Sequence, residues 1–173
     1  MISGFTRVQL IKMLGVTLSR KFSISQHIAE LLAACSHSLF AFRTLRQHGL
    51  PDDALHAIFQ AIVINRLSHA SPAWWGFASA DDRHLLEAFL RRSARLGYRA
   101  NSTATFDSIC DDADYQLFER ITSNSQHLLH PLLPPERQQH YSLERSHNYQ
   151  LPERTTQLKD KNFIPVIRML CRG

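Results

Sequence analysis

From about residue 23 to residue 133 the apolar positions recur every three or four residues. That is the period of helices with one buried face. The stretch upstream breaks this rhythm. Val8 to Leu18, Val-Gln-Leu-Ile-Lys-Met-Leu-Gly-Val-Thr-Leu, reads as two short extended runs meeting near Gly15. So short a hairpin is marginal alone in water. It must rest on the helices or on something outside this chain.

The helices follow in order. Ser23 or Ser25 offers an N-terminal cap. Ile28, Leu31, Leu32, Cys35, Leu39, Phe42 and Leu45 form one face, closed by Gly49. His27, Glu30, Ser38 and Arg46 fall on the other face. Leu50-Pro51-Asp52-Asp53 opens a second helix, with proline and acids in a first turn. Its stripe is Leu55, Ile58, Phe59, Ile62, Val63 and Leu67, and Ser71-Pro72 ends it. Ala73-Trp74-Trp75-Gly76-Phe77 is an aromatic connector suited to plugging the end of a bundle. Ser79 caps a third helix, which puts Leu85, Leu86, Phe89, Leu90, Leu96 and Gly97 on one side. Arg91, Arg92, Arg95 and Arg99 lie on the other. Thr105 and Asp111 or Asp112 mark the starts of two shorter helices. Pro131, Pro134 and Pro135 then stop regular helix. Beyond them the chain is polar, with Phe163 to Leu170 as its one apolar anchor. The expected fold is mainly α: a three-helix bundle with additional short helices, a short N-terminal β-hairpin or extended segment, and an irregular C-terminal tail.

Composition adds a boundary and a direction. The chain has 173 residues, 44% of them hydrophobic, enough for one domain with a tail. The formal charge is +5, and Lys12, Lys21, Lys159 and Lys161 are its only lysines. The rest of the positive charge is arginine, which suits bidentate contact with phosphate. Three distant cysteines, Cys35, Cys110 and Cys171, give no disulfide framework and no metal spacing. No apolar run has membrane-spanning length, and Met1 to Gln9 lacks a signal peptide's apolar core. The expectation is an intracellular protein, cytoplasmic or nuclear, with no membrane and no disulfide-linked partner.

Candidate chemistry is sparse. Ala80-Asp81-Asp82 has the composition of a polymerase metal-binding pair. Its position after a serine cap makes it a helix start instead, as it does for Asp52-Asp53. Asp107, Asp111, Asp112 and Asp114 lie in loops and caps. His127 and His130 have ligand spacing, but Pro131 truncates the helix and no further ligand lies beside them. No nucleophile elbow and no glycine-rich phosphate loop is present. The arginine side of the third helix is the positive signal, since such a face can meet successive phosphates.

Several motifs in order carry a likeness. Lys12-Met13-Leu14-Gly15-Val16-Thr17-Leu18, a polar turn, and His27-Ile28 resemble the end of the palm of non-LTR, LINE-like retrotransposon reverse transcriptases. In that family a Lys-x-Leu-Gly hairpin is the primer grip, and a helical thumb follows. Ser68-His69-Ala70-Ser71-Pro72-Ala73-Trp74 resembles the family's tyrosine-Ala-Ser-Pro-x-Trp segment, with His69 as a departure. Leu129-His130-Pro131-Leu132-Leu133-Pro134, Arg145-Ser146-His147-Asn148-Tyr149 and Leu151-Pro152 resemble the C-terminal ends of such reading frames, those of tick transposon-like proteins especially.

The resemblance implies a division into residues 1–22, a remnant of the palm and primer-grip hairpin; 23–133, a helical thumb-like domain; and 134–173, the tail. It implies primer-grip roles for Lys12, Leu14 and Gly15. Arg91, Arg92, Arg95 and Arg99 become candidates for contact with an RNA–DNA or DNA duplex backbone. The family's catalytic aspartates precede the hairpin, so Asp81 and Asp82 cannot be that pair. This chain starts just before the hairpin, so the fingers, most of the palm and the endonuclease domain are expected to be missing, and Val8 to Leu18, without the palm sheet, is expected to be poorly packed or only lightly docked on the helices. Catalysis by this chain is not expected, and no cofactor is implied; magnesium belongs to the complete polymerase. Two other readings stand beside it. One is a helical protein–protein interaction domain, the other a small metal-dependent enzyme using His127, His130 or the loop aspartates.

Overall fold

The computed structural model describes residues 8–100 and 104–134. It is mainly helical with one short antiparallel hairpin, as the periodicity requires. The tail from residue 135, including Phe163 to Leu170, lies outside the described residues. So does the segment before Val8. The chain divides into two compact units, Met1–Ala70 with Phe77–Phe106, and Ser71–Gly76 with Asp107–Gly173.

In the first unit, β1 (Leu10–Met13) pairs with β2 (Val16–Ser19), Met13 opposite Val16. Leu14 at φ +49° and Gly15 at φ +89° make the two-residue turn. Two positive φ angles suit the right-handed twist of the strands. Only β2 packs inward, burying Val16 and Thr17 against the long helix α1 (Ser25–Gln47). All of β1 is exposed. The hairpin is docked by one strand, in keeping with the light packing expected of Val8 to Leu18.

The N-terminal cap of α1 is Ile24, not a serine. Ile24 is fully buried, and core packing outweighs capping chemistry there. Ser23 Oγ instead accepts from the Ser25 amide (3.3 Å). Two residues expected on the outer face of α1 turn inward. His27 is buried, and Arg46 reaches across to the third helix. Leu45, expected inside, is exposed.

The second helix begins as α2 (Asp52–Phe59), passes through a π-helical turn at Gln60–Ile64 and ends as α3 (Asn65–Ser68). A π turn adds a residue per turn. It rotates Ile62 off the buried face and Ile64 onto it, so the stripe becomes Leu55, Phe59, Val63, Ile64 and Leu67. The helix stops at Ser68. Ser71-Pro72 does not end it but opens a separate turn of helix, α4 (Ser71–Trp74), in the second unit.

The third long helix, α5 (Ala80–Arg95), starts on a full capping box. Ser79 Oγ accepts from Asp82 N (3.1 Å), and Asp82 Oδ2 accepts from Ser79 N (3.1 Å). Ser25 Oγ also donates to Asp82 Oδ2 (3.0 Å), joining the starts of α1 and α5. Their ends are joined by Arg46, whose guanidinium donates to the carbonyls of Leu96 and Gly97. The two helices therefore run parallel, pinned at both ends. Leu86, Phe89, Leu90 and Ser93 are the buried positions of α5. Leu85 and Leu96, expected among them, are exposed: Leu96 lies past the last helical residue.

In the second unit, the two short helices expected after Thr105 are one, α6 (Phe106–Ser123). Asp111 and Asp112 sit within it rather than capping a second start. The tryptophans belong to this unit. Both are buried and meet edge to face at 5.9 Å, and Trp75 Nε1 donates to Asp107 Oδ1 (2.9 Å). Phe118 and Ile121 form a small core with Leu117, Leu129 and Leu133.

Candidate nucleic-acid interface

The hairpin tip is built from unusual backbone. A leucine at positive φ is disfavoured, because its Cβ crowds the carbonyl. Asparagine or glycine suits that position better. Yet Leu14 is held there with 92% of its surface exposed. Strained, exposed residues cluster at contact sites. Lys12 lies just before it on exposed β1 and makes no ion pair among the described residues. Backbone bonding also leaves β1 an open edge. The bond from Arg20 N to Gln9 O (2.9 Å) directs Gln9, Ile11 and Met13 towards β2, so Leu10 and Lys12 point their amides and carbonyls outward.

The tip meets the second motif of the resemblance. His69 Nε2 stands 3.4 Å from the Leu14 carbonyl oxygen, and a Cβ built on Gly15 would sit 3.7 Å from that nitrogen. A carbonyl only accepts, so Nε2 is the donor. A groove of about 580 Å³ opens beside this contact. Its polar lining is Gly15, His27, Asn65, Arg66 and His69; Leu31, Ala61 and Ile62 supply an apolar wall. His27 comes from α1, Asn65 and Arg66 from α3, and the apolar wall partly from the π turn.

Arg66 supplies the formal positive charge of the groove lining. Burial, above all, holds the His27 imidazole below its ordinary value of 6.5; Lys12 and His69 add to that effect and Glu30 opposes it. Glu30 is itself held below its ordinary range by hydrogen bonds from Gln26 Nε2 (3.1 Å) and Thr17 Oγ1 (3.1 Å). The Glu30 carboxylate is thus hydrogen-bonded within the fold.

The second candidate surface lies on α5. Arg91, Arg92 and Arg95 are all exposed and fall within about 100° of the helix circumference, at 100° per residue. Arg92 rests over the Phe89 ring at 5.6 Å. Arg99 does not extend the row. It lies beyond the helix, half-buried, and its Nη2 donates to the Ala104 carbonyl (2.7 Å); burial lowers its pKa. Between α1 and α5 a groove of about 570 Å³ runs under Arg92 and Arg95, floored by Leu32, Ala88 and Phe89. Leu31 and Leu32 thus line two different grooves, one on each flank of the buried stripe of α1.

The remaining candidates take structural places. Asp82 is a buried cap and Asp81 an exposed first-turn acid. His127 Nδ1 accepts from the Leu129 amide (3.1 Å). Among the described residues no three histidines, cysteines or carboxylates gather as a metal site, and no helix is long and apolar enough to cross a membrane. The pattern of the sequence did not single out His27, Asn65 or Arg66 as site residues. The periodicity placed His27 on the polar face of α1, and its burial was visible only in the fold. No protein-family model, curated protein or solved structure matches this chain.

Proposed function

We propose that this chain is the primer-grip, thumb and C-terminal part of a non-LTR retrotransposon reverse-transcriptase-related protein. Its role is sequence-independent contact with a template–primer backbone, without catalysis of its own. Phosphate contacts of this kind hold register and carry no sequence information. The reading rests on the residue likeness, and the observation that carries it furthest is the meeting of Leu14 and Gly15 with His69. Two motifs far apart in the chain come together there, at an exposed, strained tip beside Lys12. Arg91, Arg92 and Arg95 form the second contact row. Asp82, the polymerase-like acid of the sequence, is engaged in capping α5. Filter binding of an RNA–DNA hybrid across a salt series tests the proposal. Affinity no better than that of a neutral protein rejects it.

A second reading is favoured by β1, which exposes Leu10, Ile11 and Met13 on both of its faces. Such an edge invites another strand, and the chain would then be an interaction domain with no nucleic-acid role. Concentration-dependent self-association in sedimentation, with no hybrid binding, selects this reading.

A further inference from the structure

The groove beside the hairpin tip has a use that the thumb reading does not assign. It is amphipathic in a particular way. On one side stand Asn65, Arg66 and His69, all hydrogen-bonding side chains. On the other stand Leu31, Ala61 and Ile62, and Ile62 is a large apolar residue left exposed by the π turn. Arg66 is exposed and makes no ion pair among the described residues. Lys12 is close enough to bear on His27, which is buried in the groove wall. The volume of about 580 Å³ falls in the range of small-ligand clefts, roughly 300–1,000 Å³.

We infer that this groove binds a phosphomonoester carrying an apolar or planar body, of the size of one nucleotide. Arg66, with the Asn65 side-chain amide, receives the phosphate, and His69 flanks it from the hairpin side. Leu31 and Ile62 receive the ring. Arginine suits the phosphate because its fork donates two parallel hydrogen bonds. Glu30 accepts from Thr17 and Gln26, and no ion pair joins it to Arg66 among the described residues. The phosphomonoester could belong to a free mononucleotide or to the 5′ end of a strand. The site does not depend on the duplex contact proposed for α5.

The test uses the full chain and follows His27 and His69 ring protons by NMR. The titrants are adenosine 5′-monophosphate, adenosine, inorganic phosphate, and a tetranucleotide with and without a 5′-phosphate. The expected order is adenosine 5′-monophosphate above both adenosine and inorganic phosphate. A phosphorylated tetranucleotide that binds more tightly than the mononucleotide assigns the site to strand ends; equal binding assigns it to free nucleotides. Arg66→Gln weakens the mononucleotide about tenfold, as removal of a charge-assisted hydrogen bond does. Arg43→Gln, at an exposed position of α1 outside the groove lining, leaves it unchanged. Arg66 is exposed, so its variant keeps the fold, which far-UV circular dichroism checks. Equal affinity for adenosine and its monophosphate, or an Arg66→Gln variant that binds as the wild type does, overturns the inference.

Discussion

Arg46 Nη2 donates to the carbonyl of Gly97 at 2.7 Å, while Nη1 donates to that of Leu96 at the same distance. The guanidinium also lies over the Tyr98 ring at 4.5 Å. Its ion pair with Asp52 (3.3 Å) is exposed and worth little. The bonds to the carbonyls matter more, because Leu96 and Gly97 lie just past the end of α5, where no following helical turn supplies them with N–H partners. Arg46→Ala should lower stability by about 1–2 kcal/mol, read as a lower urea midpoint with unchanged slope. Arg46→Lys should recover less than half, since a point charge cannot span two carbonyls. Gly97→Ala should cost about 1 kcal/mol or more: φ is +72°, and the new Cβ would sit 3.2 Å from Arg46 Nη2.

Asp82 has the composition of half a catalytic pair but reads as a helix-start acid in sequence, and it closes the capping box of α5 in the fold. It accepts from Ser79 and Ser25 while buried. Asp82→Ala should cost about 1–2 kcal/mol. Asp81→Ala, at an exposed first-turn position, should cost about 0.3–1 kcal/mol. Thermal melts of the two variants check the order. Equal losses would contradict the capping assignment.

The hairpin turn holds a leucine where the backbone favours asparagine. Leu14→Asn should stabilise the chain by roughly 0.5–1 kcal/mol through relief of the left-handed strain. If the tip is a contact surface, the same variant should weaken hybrid binding. A variant both more stable and weaker in binding is the signature of strain kept for function.

His27 links stability to pH. Its folded-state pKa lies below 6.5, so the unfolded chain takes up a proton first as pH falls. Stability from this group is therefore full above pH 6.5 and is lost as pH drops below that value, through the folded-state pKa. Glu30 has the same sign further down: its contribution is present above 4.5 and lost on acidification. Urea midpoints between pH 8 and pH 5 should fall less steeply for His27→Gln than for the wild type. Parallel curves would contradict the role of burial at His27.

Cys35 is fully buried on α1, and burial raises its thiol to about 11. The thiolate is the reactive form. Alkylation mapped by mass spectrometry at pH 8 should leave Cys35 unmodified in the native chain and modify it in urea.

The sequence conveyed most of the architecture, because three strong helical periods and one break in them account for it. What it missed has physical causes. Ile24 takes the cap position since burying an isoleucine outweighs a serine's bond. Ile62 and Ile64 exchange faces because no local pattern marks a π turn. Arg46 reaches carbonyls on a segment distant in sequence, and His27 is buried where the helical period places it outside. The site was legible only in part. Lys12, Leu14 and Gly15 share the exposed tip, and Arg91, Arg92 and Arg95 share one face. Arg99 does not join them, because α5 ends at Arg95. Asn65 and Arg66 could be found only once the fold had set them opposite the hairpin.

The most direct test of the duplex-contact reading is hybrid affinity against salt for the wild type and for the combined variant Arg91→Gln, Arg92→Gln and Arg95→Gln. For the wild type, the logarithm of the binding constant should fall linearly with the logarithm of salt. The variant should bind more weakly, with a slope shallower by about 0.9 for each phosphate that is no longer neutralised. A flat salt response, or a variant indistinguishable from the wild type, contradicts the reading.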